Sequence, residues 1–260
     1  MPSSLPALPL AGGTTTDDQL IDGFIAAVRV QHLAEWLPDE PCVILDLSRG
    51  CPGLLRLMIE AGHTVVHADL QLRRPDIGRH DSSGGRLIQV HADPLTPDWL
   101  ADSSLDAIVA EGCTLSSALA AELTLERLCA ALRPGGRMLL CVDSLVAGLA
   151  HLAETGRWAE LADVPAADVV LIPGDAGRIT RCFWPEELSG MLSNAGFAVD
   201  WIRPRAVLTD QTLVRALRQD SAQLDSLVAT ELALEVRRQS ESIGTQLLVS
   251  ARRPRPAAGS

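Results

Sequence analysis

The strongest constraint on the fold is a series of short, almost wholly apolar segments between residues 42 and 143. They are CVILDL (42–47), TVVHAD (64–69), RLIQVHA (86–92), LDAIVA (105–110) and RMLLCVD (137–143). A strand that is apolar at consecutive positions is covered on both of its faces. Helical spacing lies between most of them, notably at 54–61 and 116–132, and the connection PDWLADSS has room for a short helix only. The pattern predicts a doubly wound parallel sheet with right-handed crossovers.

Further elements flank this series. Thr16 or Asp17 can cap a helix that runs to Trp36, before Pro38. Later segments predict a hairpin at 168–183 and a helix that begins at Pro185 and ends at Gly196. Two more strands are expected at 198–204 and 245–253, with a largely helical stretch at 210–238 between them. We therefore expect an α/β fold: a doubly wound, mostly parallel seven-stranded sheet with an added hairpin and an N-terminal helix.

Composition along the chain suggests the domain limits. Residues 1–16 are rich in Pro, Gly, Ser and Thr and have no periodicity, which is typical of a flexible leader. Residues 17–253 are expected to form a single domain, with its core at 40–145 and substrate-side additions at 146–183. Residues 254–260 are expected to be a flexible tail.

The overall charge limits the classes of partner. The formal net charge is −11, and every one of the 22 basic residues is an arginine. Such a surface repels phosphate backbones, so we expect no nucleic-acid partner. Arginine without lysine, together with abundant alanine, suggests a bacterial coding bias.

The cysteines and the apolar segments indicate neither a metal site nor a membrane-spanning segment. The six cysteines are scattered, with no C-x-x-C pair, so we expect free thiols and no metal site. No signal-peptide pattern and no apolar run of about 20 residues is present. We expect a cytoplasmic protein with no membrane partner and an unknown oligomeric state.

An acidic residue follows each of the first three predicted strands. Asp46 and Asp69 close the first and second strands, and Asp93 closes the third. Each alone could simply cap the next helix. In a doubly wound sheet, however, the ligand crevice lies outside the carboxyl ends of the strands, so the recurrence predicts a binding site there.

Three segments of the sequence resemble one enzyme family. VILDLSRGCPGLLRLMIEAGHTVVHADLQ resembles the first two motifs of class I S-adenosylmethionine-dependent methyltransferases, and LRPGGRMLL resembles the segment leading into their fifth strand. FWPEELSGMLSNAGFAVDWI resembles their late helix and sixth strand. The resemblance covers roughly residues 17–253, and its motifs are specific in combination.

The resemblance implies roles for particular residues. Asp46 would organise the methionine end of the cofactor, Asp69 would accept hydrogen bonds from the ribose hydroxyls, and Asp93 would meet the adenine amino group. The full set of implied cofactor-binding residues is Asp46, Ser48, Gly50, Gly53, Asp69, Leu70, Asp93, Pro94, Glu111 and Gly112. Leu70 and Pro94 would flank the adenine ring, and Glu111 and Gly112 would border the departing methyl group.

The glycine motif departs from the family pattern, acidic-x-Gly-x-Gly-x-Gly. Here it reads Asp46-x-Ser48-x-Gly50-x-Pro52, and proline fixes φ and removes an amide donor. Two alternatives therefore stay open: a cofactor-binding or non-methylating protein on this fold, and a nicotinamide oxidoreductase. The last is disfavoured because Asp46 would place a negative charge beside a pyrophosphate.

The expected reaction is methyl transfer from S-adenosylmethionine to a small-molecule acceptor. Alignment and desolvation can supply much of the acceleration, so a base is optional. If the acceptor carries a proton, the candidates to remove it are Glu111 and Asp143 at strand ends and His151 on the following helix.

Overall fold

The computed structural model describes residues 16–48, 51–70, 84–167, 169–173, 179–239, 241 and 243–256. The expected leader up to residue 15, Gly50, the hairpin turn at 174–177 and the tail from residue 257 lie outside the described residues. The strands are β1 (Val43–Asp46), β2 (Thr64–Ala68), β3 (Arg86–Val90), β4 (Leu105–Ala110), β5 (Leu132–Asp143), β6 (Val170–Pro173), β7 (Ile179–Cys182), β8 (Ala198–Arg205) and β9 (Gln246–Arg252). The α-helices are α1 (Asp17–Trp36), α2 (Pro52–Glu60), α3 (Ala121–Ala131), α4 (Leu145–Glu154), α5 (Trp158–Asp163), α6 (Pro185–Asn194), α7 (Asp210–Gln219) and α8 (Leu224–Arg237).

The central sheet has seven strands in the order β3-β2-β1-β4-β5-β9-β8. The five strands β1 to β5 pair in parallel, whereas β9 is antiparallel to both of its neighbours, β5 and β8. The expected α/β class is confirmed, with the hairpin β6–β7 as a separate two-stranded sheet. Because β8 runs parallel to β5, the C-terminal ends of β1 to β5 and of β8 lie along the same edge of the sheet, which is called the carboxyl edge below.

Both faces of the sheet are covered, as the continuous apolar segments predict. Within β1, Leu45 joins the core on one face and Ile44 the core on the other. Strand β4 alternates in the same way, with Ile108 on the first face and Val109 on the second. Side chains alternate along a strand, so a strand that is apolar throughout supplies both cores.

Helix α1 is capped by Thr16, one of the two caps that its sequence predicts, and the cap forms a capping box. The Thr16 hydroxyl accepts a hydrogen bond from the Gln19 backbone, and the Gln19 side chain accepts one from the Thr16 backbone. The helix ends with Trp36 in the core, where the indole Nε1 donates to Ser250 Oγ at 3.1 Å. This helix lies over α2 and also contacts α7 and α8.

Some expected boundaries are corrected. The helix expected at 116–132 is a 3-10 turn at Leu115–Ser117 followed by α3, because the extended backbone of Ala118 separates them. Helix α2 starts earlier than expected, at Pro52, a residue type suited to the first helical position. The connection between β3 and β4, whose residues 91–104 are all described, contains turns and no helix. Within the described part of the chain, no helix is both long and apolar enough to cross a bilayer.

Candidate functional site

The three acidic residues singled out from the sequence lie along the carboxyl edge. Asp46 is the last residue of β1, Asp69 directly follows β2, and Asp93 lies three residues beyond β3. These strands are neighbours in the sheet and pair in parallel. Three consecutive strands therefore each have an acidic residue at or just beyond their carboxyl end.

Asp46 is buried and anchors the loop that follows β1. Its Oδ1 accepts a hydrogen bond from the Ser48 backbone N–H at 3.1 Å, and its Oδ2 lies 2.7 Å from His67 Nδ1 on the paired strand β2. The hydrogen bond with Asp46 raises the pKa of His67 above its ordinary value, although burial opposes it. The Asp46 carboxyl thus fixes the position of Ser48, at the start of the loop.

The described residues of the altered glycine motif make specific local contacts. Ser48 Oγ accepts a hydrogen bond from the Glu111 backbone N–H at 3.1 Å, so the serine joins the loop after β1 to the end of β4. Pro52 occupies the first turn of α2. A Cβ on Gly53 would lie 3.3 Å from Val30 Cγ2, so this glycine permits close packing of α1 on α2. Pro52 and Gly53 are therefore compatible with α2 and with its packing against α1.

The expected adenosine-binding residues lie on the ends of β2 and β3. Asp69 is half-buried and its backbone N–H donates to Val90 O at 3.1 Å, which ties the two strand ends together. Leu70 is exposed, while Pro94 is buried. Asp93 Oδ1 accepts a hydrogen bond from the Leu95 backbone N–H at 2.9 Å, and no described residue bonds to its Oδ2.

The chain after β4 has an unusual backbone. Gly112 and Cys113 both have positive φ, 79° and 55°. That region is readily accessible to glycine but costs energy for cysteine. Thr114 Oγ1 donates to Leu47 O at 2.9 Å and so binds this turn to the loop after β1.

The Glu111 carboxyl points into the protein and is fully buried. Arg205, at the end of β8, donates to its two oxygens at 2.7 and 3.0 Å, and Arg29 Nε of α1 lies 3.6 Å from Oε2. Burial alone would raise the pKa of Glu111, but the charge and hydrogen bonds of Arg205 hold it below the ordinary value. Glu111 therefore has the chemistry of a paired, permanently ionised group and is a poor proton acceptor.

A second layer of polar groups supports this ion pair. Arg205 Nη2 lies 3.3 Å from His32 Nδ1; since arginine only donates, the neutral imidazole keeps its proton on Nε2. That Nε2 lies 2.6 Å from Glu235 Oε2 on α8. Burial and the charge of Arg205 lower the pKa of His32 to about 3, and burial raises the pKa of Glu235 to about 8. Both groups are predominantly uncharged at neutral pH.

The other two candidate proton acceptors lie on β5 and α4. Asp143 ends β5, its backbone N–H donates to Ser116 Oγ at 2.8 Å, and burial raises the pKa of its carboxyl. His151 lies two turns into α4, and none of the described contacts joins its side chain to the carboxyl edge. Of the three candidates, Asp143 is the carboxyl at this edge that is not held by an arginine.

Four residues of the buried cluster were not identified from the sequence: Arg29, His32, Arg205 and Glu235. Their chain positions are far apart, and each residue alone is compatible with an ordinary surface position. One signal was available, because His32 stands in the apolar stripe of α1 and Glu235 continues the buried spacing of Leu224, Val228 and Glu231 on α8. A polar residue on the buried face of a helix needs a partner.

The fold was compared with solved structures, and many match over most of the chain. An S-adenosylmethionine-dependent methyltransferase from Mesorhizobium loti shares 18% identity at a TM-score of 0.56, covering 88% of this chain and 100% of its own. The chain has the fold of S-adenosylmethionine-dependent methyltransferases. No family model matches the sequence, and no curated protein matches it either.

Two further structures support the same fold assignment. The Burkholderia thailandensis 1,6-didemethyltoxoflavin-N1-methyltransferase, solved with 1,6-didemethyltoxoflavin and S-adenosylhomocysteine bound, shares 18% identity at a TM-score of 0.54, covering 96% of this chain and 94% of its own. A methyltransferase from Methanosarcina mazei shares 16% identity at a TM-score of 0.53, covering 86% and 98%. The whole described sheet, including antiparallel β9, thus belongs to a fold that accommodates this cofactor in other proteins.

Proposed function

We propose that this protein binds S-adenosylmethionine at the carboxyl edge and transfers its methyl group to a small-molecule acceptor. The observation that carries the proposal is the row of Asp46, Asp69 and Asp93 at the ends of three consecutive parallel strands in a methyltransferase sheet. The bound cofactor would supply an activated methyl group on a sulfonium. The chain's own residues would bind, orient and desolvate it.

The residues present fit the cofactor. Asp69 is half-buried at the end of β2, where a carboxylate can accept hydrogen bonds from both ribose hydroxyls. Asp93 has one oxygen to offer to the adenine amino group, with buried Pro94 and exposed Leu70 as apolar neighbours. Asp46 would act indirectly, through the loop position that it fixes.

In view of the buried ion pair, we propose different roles for the three expected catalytic candidates. Glu111 would border the methyl group through its backbone, because its carboxyl is bound by Arg205. Asp143 would take the acceptor's proton where there is one, because a raised pKa makes a carboxylate a stronger base. His151 would have no role in the transfer.

One observation favours a second candidate, a protein that binds the cofactor without methylating. Both the Glu111 and Asp46 carboxyls are committed to internal partners, so of the three candidate bases only Asp143 is a carboxyl at this edge without an arginine partner among the described residues. A nicotinamide enzyme is disfavoured further, because antiparallel β9 lies where the dinucleotide-binding fold continues in parallel. Conversion of S-adenosylmethionine to its demethylated product, followed by mass spectrometry with a panel of small phenols and amines, distinguishes the two candidates.

Calorimetric titration with S-adenosylhomocysteine tests the proposal. We expect saturable binding that Asp69→Ala weakens by roughly 10- to 100-fold, which is the effect of losing hydrogen bonds to a charged group. The matched control is Asp225→Ala, an exposed carboxyl in the first turn of α8, which should leave the affinity unchanged. The absence of binding to the unaltered chain would refute the proposed function.

A further inference from the structure

Arg29 is a mostly buried cation whose hydrogen-bonding groups are not used. Its side chain is 13% exposed, and its Nε is buried with no hydrogen-bond partner in the part of the chain that the structure describes. The guanidinium makes no hydrogen bond to any described residue, and the ion pair with Glu111 is long, at 3.6 Å. A buried guanidinium loses hydration that it must recover from a partner.

Glu111 is already neutralised by another arginine. Arg205 makes two direct hydrogen bonds to this carboxylate, whereas Arg29 makes none. The nearby His32 and Glu235 are predominantly uncharged at neutral pH, so they add no net negative charge. Arg205 therefore occupies both oxygens of the Glu111 carboxylate, and Arg29 is the cation whose hydrogen-bond donors are left for an added anion.

Arg29 stands beside the loops that border the carboxyl edge. Burial raises the pKa of the Cys51 thiol, after β1, and the positive charge of Arg29 opposes that rise. Burial also raises the pKa of the Asp143 carboxyl, at the end of β5, and the positive charge of Arg29 opposes that rise as well. The contact with Glu111 adds the end of β4. The guanidinium thus lies beside the Glu111 carboxylate at the end of β4, the strand that pairs with both β1 and β5.

The altered loop after β1 lacks one ordinary donor for an anion. Pro52, at the first turn of α2, has no backbone N–H, and the Cys51 side chain makes no capping hydrogen bond there. A helix N-terminus normally offers such free N–H groups to negatively charged ligands. A cation from α1 can take over that task.

We propose that Arg29 binds the carboxylate of the cofactor's methionine end and so replaces the backbone donor lost at Pro52; this inference rests on the proposed function. Arginine is suited to this role, because its guanidinium pairs with a carboxylate through two parallel N–H donors. The anchor explains how a loop with Ser48 and Pro52 in place of glycines can keep the donor cofactor.

The test compares two ligands that differ only in the carboxylate. Calorimetry with the full chain measures the affinity for S-adenosylhomocysteine and for decarboxylated S-adenosylhomocysteine. Arg29→Gln should weaken the first roughly 10- to 100-fold and leave the second unchanged, while Arg29→Lys should keep part of the preference. Arg56→Gln, on the exposed face of α2, is the matched control and should alter neither affinity.

The outcomes separate this inference from the proposed function. If Arg29→Gln binds S-adenosylhomocysteine as well as the unaltered chain does, the carboxylate role is wrong while cofactor binding stands. An equal loss for both ligands would also overturn it, because Arg29 would then act through the fold. If the unaltered chain binds neither ligand, the proposed function itself fails, and the role of Arg29 with it.

Discussion

Removing Arg205 should destabilise the protein more than removing any exposed arginine. Its side chain is 2% exposed and holds the fully buried Glu111 carboxylate through two hydrogen bonds. Breaking a buried pair from one side typically costs about 3–5 kcal/mol, because the remaining charge is left without its partner. We therefore expect Arg205→Met to lower the free energy of unfolding by about that amount.

The size of this effect depends on the charges that remain. Burial is the larger cause of the lowered pKa of His32 and remains when Arg205 is removed, so His32 is a poor replacement cation, and Arg29 lies too far from Glu111 for a hydrogen bond. A domain of this kind has only about 5–15 kcal/mol of stability in total, so the variant should lose a large share of it. Urea unfolding followed by circular dichroism measures the loss.

A double-mutant cycle isolates the pair from other contacts. Glu111→Gln combined with Arg205→Met should cost at least about 2 kcal/mol less than the sum of the single changes, because neither Glu111 nor Arg205 is then left charged without the other. The matched cycle uses Arg56 and Glu60, an exposed i,i+4 pair on α2, where about 0.5 kcal/mol of coupling is expected. A buried coupling no larger than the exposed one would refute the argument.

Two further predictions concern the surroundings of the same pair. The pKa of Glu235 is raised from 4.5 to about 8, so between these values the folded protein keeps a proton that the unfolded chain loses, and the free energy of unfolding falls as pH rises. Up to pH 6.5 the lowered pKa of His32 has the opposite effect, because the unfolded chain then binds the extra proton. The net fall is therefore expected between pH 6.5 and about 8, by up to about 1.4 kcal/mol per pH unit. In urea unfolding at pH 6.5 and at pH 8, Glu235→Gln should show a smaller difference in the free energy of unfolding than the unaltered chain. An unchanged difference would contradict the raised pKa of Glu235. A Cβ on Gly244 would lie 2.1 Å from Arg205 O, so Gly244→Ala should cost at least about 2 kcal/mol in thermal unfolding. Gly190→Ala, on α6 with nothing within 4 Å, should instead be neutral or stabilise by up to about 1 kcal/mol.

The strands could be predicted because their signal is local. Segments such as LDAIVA are apolar at consecutive positions, and β4 places Ala107 and Val109 on one face and Ile108 on the other. The position of β9 could not be read in this way. Its sequence, TQLLVSARR, identifies a strand, but its insertion between β5 and β8 depends on pairing across more than 100 residues of chain, as in Leu140 with Val249.

The candidate site was predictable only in part, for a related reason. Asp46, Asp69 and Asp93 could be found because each follows a recognisable strand, and parallel strands bring such ends together. Arg29 and Arg205 could not, because an isolated arginine has the same local pattern on a surface as in a core. What distinguishes them is the carboxylate that each one approaches, and this depends on the tertiary structure.

The buried pair also suggests a role for a polar cluster away from the reacting atoms in the proposed methyl transfer. Cys113 has a strained positive φ, so the turn after β4 keeps its shape only if its surroundings impose it. Ser48 holds the Glu111 backbone, Arg205 holds its carboxylate, and Thr114 fixes the turn to Leu47. An in-line transfer depends on the alignment of donor and acceptor, and a displacement of about 1 Å can cost about 100-fold in rate. A rigid turn at this position therefore serves the proposed reaction by fixing the geometry around the methyl group.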